Sequence, residues 1–314
     1  MKPDGDRVSR FALTLDPRDQ AFGEPMSHLT TTIALAVFLL FGPFENSQVT
    51  NRDDETPNRA PPTLLTVTRG TEHGCGLSAD GRAFCWGSNR LGQLGDDDAN
   101  PNAKTGAVAV ATAQAFVVIS AGANHTCALT SDGVAYCWGL NFTGELGQAI
   151  VAGRCDAFPC NRRPTRVETT MRFDTISAGF GHTCALRRGR ATCWGRNDRG
   201  QVGTARADDV CEGVPCNVSP VRVEGIEGLS SIAAGGDHTC GIASGALYCW
   251  GSNQYGQLGV SSSIERSARP LRVAMAERVA SVTARGLRTC ATLVSGRQMC
   301  WGYEKQASGR RETR

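Results

Sequence analysis

The chain of 314 residues has little net charge: 33 Lys and Arg face 30 Asp and Glu, a balance of +3. So small an excess provides no field to attract nucleic acid or an anionic membrane surface, and no nucleic-acid partner is expected. Long hydrophobic runs are also lacking. Thr31–Gly42 (TTIALAVFLLFG) has the length of a signal-peptide core and is too short to span a bilayer comfortably. No GxSxG, HExxH or phosphate-cradling motif occurs. Aromatics make up only 6%, and all five tryptophans are spent in one recurring tripeptide. These absences point to a non-enzyme that needs no cofactor and no metal.

Cysteine, by contrast, is plentiful and regularly spaced, with fourteen residues at 75, 85, 127, 137, 155, 160, 184, 193, 211, 216, 240, 249, 290 and 300. An even count at regular spacing suggests disulfides and an oxidising compartment. The N-terminus agrees. Residues 1–25 read as a non-structural leader and 26–43 as a signal peptide or anchor, with Met26 as an alternative start; a buried apolar segment is the other reading of that run. Residues 44–62 are a polar, proline-containing linker, 63–303 the folded domain, and 304–314 a basic tail. Zinc is the other reading of a Cys pair, but no Cys-x-x-Cys or His pair lies near to complete four ligands.

Each Cys-Trp-Gly opens the same sequence. Trp86, Trp138, Trp194, Trp250 and Trp301 follow Cys85, Cys137, Cys193, Cys249 and Cys300 at spacings of 52, 56, 56 and 51. Every unit has an alternating segment (FVVISAG), then HTCAL or a variant, a turn, and a Cys-Trp-Gly. In the first four units Asn-x-x-Gly-Gln/Glu-Leu/Val-Gly follows, and a PxxV segment recurs. A period near fifty built of short strands indicates a β-propeller. The expectation is an all-β fold of five four-stranded units.

The hairpin cysteines are ten residues apart where the turn is three residues (Ala79-Asp80-Gly81) and nine apart where it is two (Arg188-Gly189, Ser244-Gly245). Turn length and spacing change together, which keeps the cysteines opposite one another and predicts five cross-strand disulfides: Cys75–Cys85, Cys127–Cys137, Cys184–Cys193, Cys240–Cys249 and Cys290–Cys300. Each would contribute about 2–3 kcal/mol. The remaining four close small rings in variable loops, Cys155–Cys160 and Cys211–Cys216. The tryptophan beside each cysteine points to the other face and is expected to pack between blades. His73, His125, His182 and His238, two residues before a cysteine, are read as local hydrogen bonds at strand entry; Arg288 replaces them in unit five.

The recurring AGxxHTCAL…YCWGxNxxGQLG resembles the regulator of chromosome condensation (RCC1) repeat over residues 64–302, and most of all its secreted Cys-Trp-Gly members. The resemblance implies a protein-binding propeller. Nuclear members act as exchange factors for a small GTPase and bind chromatin, and a secreted bacterial member inhibits β-lactamase. Typical members have seven blades, whereas five units are present here. The eleven-residue spacing from PxxV to the next strand places a closing strand at Asn58, where prolines oppose it; Val49 is the substitute. An unclosed fifth blade is therefore expected.

The binding candidates are the variable residues after each repeated Asn: Arg90, Leu91, Phe142, Arg199 and Tyr255. These positions are equivalent in the repeat but chemically varied, as at the rim of a binding propeller. Asp96, Asp97 and Asp98 are consecutive and do not alternate as calcium ligands do. SADGRAFCW is similar to the Asp-box of sialidase propellers but lacks its spacing, and a hydrolase is the third reading. The leading expectation is an extracytoplasmic protein-binding module with an unidentified protein partner, possible inhibitors included; a nuclear-type exchange factor or chromatin binder is the alternative.

Overall fold

The structure, a computed structural model, describes residues 62–149 and 153–303. The leader, the signal-like segment, the linker before Pro62 and the tail lie outside the described residues, as do Val49 and Asn58.

Five antiparallel sheets form a five-bladed propeller. Blade one comprises β1 (Leu64–Arg69), β2 (His73–Ser78), β3 (Ala83–Gly87) and β4 (Lys104–Ala109). Blade two has β5 (Val118–Ala121), β6 (His125–Leu129), β7 (Ala135–Leu140), β8 (Gly153–Cys155) and β9 (Phe158–Arg166). Blade three has β10 (Thr175–Ala178), β11 (His182–Arg187), β12 (Arg190–Arg196), β13 (Asp209–Cys211) and β14 (Val214–Arg222). Blade four has β15 (Leu229–Ala234), β16 (His238–Ala243), β17 (Ala246–Ser252) and β18 (Arg266–Arg272). Blade five has β19 (Val279–Arg285), β20 (Arg288–Leu293) and β21 (Gln298–Gly302). The first strands of successive blades touch in the order β1, β5, β10, β15, β19, which makes them the inner layer.

The central hairpins take their register from their turns. Arg188-Gly189 and Ser244-Gly245 both have positive φ at the two turn positions, as a two-residue type I′ loop requires, while the longer turns place Gly81, Gly133 and Gly296 there. Each of the five cysteine pairs is directly opposed and bonded, with Cα atoms 4.0–4.1 Å apart.

One expectation needs correction, while the open fifth sheet is as expected. The uniform four-stranded unit fails in blades two and three, where Cys155–Cys160 and Cys211–Cys216 lie in strand hairpins rather than variable loops. Asp156 and Glu212 adopt positive φ, giving two-residue turns that let β8 pair with β9 and β13 with β14. The fifth sheet, among the described residues, has three strands: β19, β20 and β21.

The apolar core is divided among the blade boundaries. Trp138 of blade two is fully buried against Leu77, Leu94, Val110 and Phe116 of the first unit and its connection, and Trp194 and Trp250 repeat the arrangement. Trp301 packs half-buried against Leu258 and Val273, and Trp86 is half-buried. Near the axis, backbone bonds cross from blade to blade: Ala123 N to Gly179 O (3.0 Å), Phe180 N to Gly235 O (3.1 Å) and Gly236 N to Gly286 O (2.6 Å). A side chain on Gly122 would come within 2.4 Å of the Gly179 carbonyl, so close approach requires glycine there. Unit five has Arg285 at that place, and its guanidinium donates to the Gly70 carbonyl of blade one (3.1 Å).

Candidate functional site

The two ends of the blades differ. The Asn-x-x-Gly loops lie at one end and the hairpin turns at the other. In each loop the first Asn accepts from a backbone N–H five residues on: Leu94, Leu146, Val202 and Leu258 donate to Asn89, Asn141, Asn197 and Asn253 (3.0–3.2 Å). Gln93, Glu145, Gln201 and Gln257 accept from the backbone N–H two residues earlier (2.7–2.9 Å). These buried polar anchors fix the loop from below and leave the intervening pair free to vary.

The variable pairs form a rim of mixed chemistry. Arg90 is exposed and pairs with Asp156 on the hairpin tip of the next blade (2.8 Å); Leu91 beside it is half-buried. Phe142 is half-buried and meets Phe158 edge-on, ring centroids 5.6 Å apart. Arg199 is half-buried beside Asp198 (3.5 Å). Tyr255 is exposed and lies 5.6 Å from the ring of Tyr303. Phe158 and Tyr303 are therefore rim residues that the repeat pattern alone does not mark, because each comes from a different segment.

Below the rim, histidines connect the blades. Nε2 of His73, His125, His182 and His238 lies 2.8–2.9 Å from Oγ1 of Thr126, Thr183, Thr239 and Thr289 respectively. Each threonine hydroxyl also donates to a carbonyl of the preceding blade, those of Gln93, Glu145, Gln201 and Gln257. With its one proton committed, the hydroxyl must accept from the imidazole, so Nε2 carries the hydrogen and Nδ1 is bare. The four Nδ1 atoms have no partner among the described residues. Burial holds the rings neutral, lowering the pKa to about 4 in His73 and His238 and to about 3 in His125 and His182. The same four carbonyls accept from the indoles of Trp138, Trp194, Trp250 and Trp301 (2.8–3.1 Å). The local hydrogen bond expected at strand entry is thus a bond to the next blade. At the fifth-to-first boundary both halves change: Arg288 stands for the histidine and Gly74 for the threonine.

A charged cluster lies between blades two, three and four. Glu145 is buried where the other loops have Gln, and burial raises its pKa to about 7. Arg196 bridges Asp198 (2.8 Å) and Asp237 (3.6 Å), and burial raises Asp237. The single sequence signal for this cluster was Glu at a Gln position. At the opposite end, Met171, Arg187, Arg188, Arg190, Arg222 and Glu227 line an open concavity of about 740 Å³.

Among the described residues no group of three or more His, Cys, Asp or Glu is arranged to hold a metal ion. The acidic run diverges: Asp96 accepts from Asn89 (3.0 Å), Asp97 pairs with Arg163 and Asp98 with Lys104 (2.7 Å). No helix among them is long and apolar enough to cross a membrane.

Comparison with known proteins agrees with this architecture. Two models of the regulator of chromosome condensation (RCC1) repeat match, one at residues 80–129, 132–186, 188–242 and 244–286, the other at 116–145, 173–201 and 229–257. The ultraviolet-B receptor UVR8 of Arabidopsis thaliana is 29% identical over 254 residues, covering 78% of this chain and 55% of the receptor. The probable E3 ubiquitin-protein ligase HERC3 of Homo sapiens is 33% identical over 207 residues, covering 63% of this chain and 18% of the ligase. The chain thus spans about half of the first relative and less than a fifth of the second. Among solved structures, human WBSCR16 superposes with a TM-score of 0.67 at 19% identity, covering 78% of this chain and 64% of that one. Yeast RCC1 (Prp20), solved bound to Kap60, gives 0.62 at 22% identity, covering 80% and 56%. With its repeats matched over more than half its length, the chain belongs to the RCC1 repeat family.

Proposed function

We propose that the chain is an extracytoplasmic protein-binding module whose partner docks on the Asn-x-x-Gly rim. One observation carries this reading. Four loops held by the same buried Asn and Gln/Glu anchors present different side chains at equivalent positions, with Arg90, Leu91, Phe142, Arg199 and Tyr255 among them. A repeat-wide structural role would favour one residue type; a binding surface favours variety, with aromatics and arginine as anchors. The aromatic pairs Phe142–Phe158 and Tyr255–Tyr303 add amphipathic area at low entropic cost.

Seven disulfides and the signal-like run at Thr31–Gly42 support placement outside the cytoplasm. Reducing compartments would leave these thiols unpaired, which weighs against a nuclear exchange factor. The solved complex of yeast RCC1 with Kap60 supports protein binding as a use of this fold. The test is capture of partners with the exported chain, followed by the double substitution Phe142→Ala, Tyr255→Ala. Loss of the captured partner with an unchanged melting temperature supports the rim; retention of the partner refutes it. Localisation of a tagged chain tests the compartment separately, and retention inside the cytoplasm counts against it.

A further inference from the structure

The central hairpins of blades three and four have the same two-residue turn, with positive φ at Arg188-Gly189 and at Ser244-Gly245. Their flanks differ. Blade four pairs Ala243 with Ala246, whereas blade three pairs Arg187 with Arg190 directly across the strands. Like charges placed so destabilise a sheet. Arg188 adds a third guanidinium at a left-handed position, where Gly, Asn or Asp fit with least strain. The longer turns of blades one and two carry the opposite charge at the tip. Asp80 and Asp132 there accept from hydroxyls of their own turns, those of Ser78 and Thr130. The blade-four turn is the same backbone made without a cation, so the fold does not require the three arginines of blade three.

These arginines border the open concavity of about 740 Å³ together with Met171, Thr192, Pro220, Arg222 and Glu227. Arg190 and Thr192 share one face of β12, and Arg222 lies opposite Thr192. The Arg187 guanidinium donates to the Arg172 carbonyl (3.0 Å), which fixes it at the border. Negative groups nearby are few. Glu227 lies between Arg222 and Arg190 (3.9 Å from the latter), and Asp132 pairs with Arg172 (3.7 Å). Asp174 accepts the backbone N–H of Arg188 (2.7 Å). The guanidiniums of Arg172, Arg187, Arg188, Arg190 and Arg222 thus outnumber the carboxylates. Among the described residues neither Arg187 nor Arg188 forms an ion pair.

We propose that this concavity is a second docking site, which takes an acidic peptide segment of a protein partner through the forks of Arg187, Arg188 and Arg190. The guanidinium fork matches carboxylate and phosphate oxygens alike. Glu227 favours the carboxylate, because it is this chain's own acidic side chain held where Arg190 and Arg222 converge. Met171 and Pro220 supply apolar lining for the neighbouring side chains of a peptide, and Thr192 a hydroxyl. A net charge of +3 over the whole chain provides no wider field for a polyanion, so the attraction is confined to this blade. An anion bridging Arg187 and Arg190 also relieves their mutual repulsion. The site lies at the hairpin end and makes no use of the Asn-x-x-Gly rim.

The test uses the full chain and an end-blocked, fluorescein-labelled hexaglutamate peptide. Binding is read by anisotropy at about 50 mM salt, where exposed charges are incompletely screened. A labelled hexalysine peptide is the control, and equal binding of the two overturns the proposal. The triple substitution Arg187→Ala, Arg188→Ser, Arg190→Ala gives blade three the turn of blade four. It should weaken hexaglutamate binding at least about tenfold and leave the melting temperature equal or higher, since the repulsion is gone. Lysine at the same three positions should also weaken binding, because the charge stays and the fork is lost. Glu227→Gln should tighten it by freeing Arg190 and Arg222. Binding by the triple variant within about twofold of the parent overturns the proposal, as does a fall in its melting temperature, which would make the arginines structural. Failure of hexaglutamate to bind overturns it too, and binding of dextran sulfate in its place would assign the site to a sulfated polymer. Rim capture is read with Phe142→Ala and Tyr255→Ala and this site with the blade-three turn, so either reading can fail alone.

Discussion

Replacing Glu145 with Gln should stabilise the protein, and by an amount that depends on pH. The side chain is buried, and its carboxylate accepts the Thr143 N–H at 2.7 Å just as the amide oxygens of Gln93, Gln201 and Gln257 accept theirs. Gln therefore keeps the one hydrogen bond that the loop requires and removes the charge. Burial moves the carboxyl from its ordinary 4.5 up to about 7. A raised carboxyl pKa means that the folded state favours the protonated form. That contribution is fully present below pH 4.5 and is lost as the pH rises through 7, costing about 3 kcal/mol at pH 8. Arg196 acts in the opposite sense and limits the rise. In a domain of this size, 3 kcal/mol corresponds to roughly 6–12 °C in melting temperature. Calorimetry of the parent and Glu145→Gln proteins should show nearly equal melting at pH 4 and a gap that opens between pH 5 and 8. A gap independent of pH would show that Glu145 is ionised at no cost and refute the burial argument.

The four neutral histidines give the reverse dependence. Their pKa values are depressed below 6.5, so their contribution is present above that value and is lost as the pH falls toward 4, at up to about 5 kcal/mol per pH unit for the four together; denaturant midpoints that stay flat from pH 7 to 4 would contradict this. Thr183→Val strands the His125 N–H and should destabilise by about 1–3 kcal/mol, read from urea unfolding. Trp138→Ala should cost roughly 3–5 kcal/mol, whereas Phe142→Ala with Tyr255→Ala should stay within about 0.5 kcal/mol; unfolding of the double variant would make those residues structural. Peptide mapping without reductant should yield seven short loops and no free thiol, and a bridge between blades would contradict the pairing.

The hairpins were readable in the sequence because their evidence is local. Ala79-Asp80-Gly81 and Arg188-Gly189 differ by one residue, the cysteine spacing differs by one, and only one register satisfies both. The histidine bonds were not legible for a related reason. A repeat pattern shows that His125 recurs, but four of the five units contain the same threonine, so spacing cannot distinguish a bond within a unit from a bond to the next. The strands β8 and β13 were hidden because Asp156-Ala157 and Glu212-Gly213 lie in segments that vary between units, and a disulfide ring of that size gives no sign of strand or loop. The rim positions Phe142 and Tyr255 were legible as variable sites, while their ring partners Phe158 and Tyr303 depend on tertiary placement. Glu145 stood out only as a departure from Gln, and the cost of burying it needed the structure.

The histidine-to-threonine contact has a polarity. Each of blades one to four gives an imidazole forward and receives a carbonyl-bound threonine and indole from its successor, so the two faces of a blade are different surfaces. Head-to-tail contacts of this kind close into a ring when the rotation between units completes a turn and run on as a filament when it does not. The joint between blades five and one breaks the pattern: Gly74 has no hydroxyl to accept, and Arg288, a permanently charged donor, stands where the other units have the neutral imidazole. The ring of near-identical units thus carries one seam of different chemistry, crossed instead by the Arg285 guanidinium on the Gly70 carbonyl.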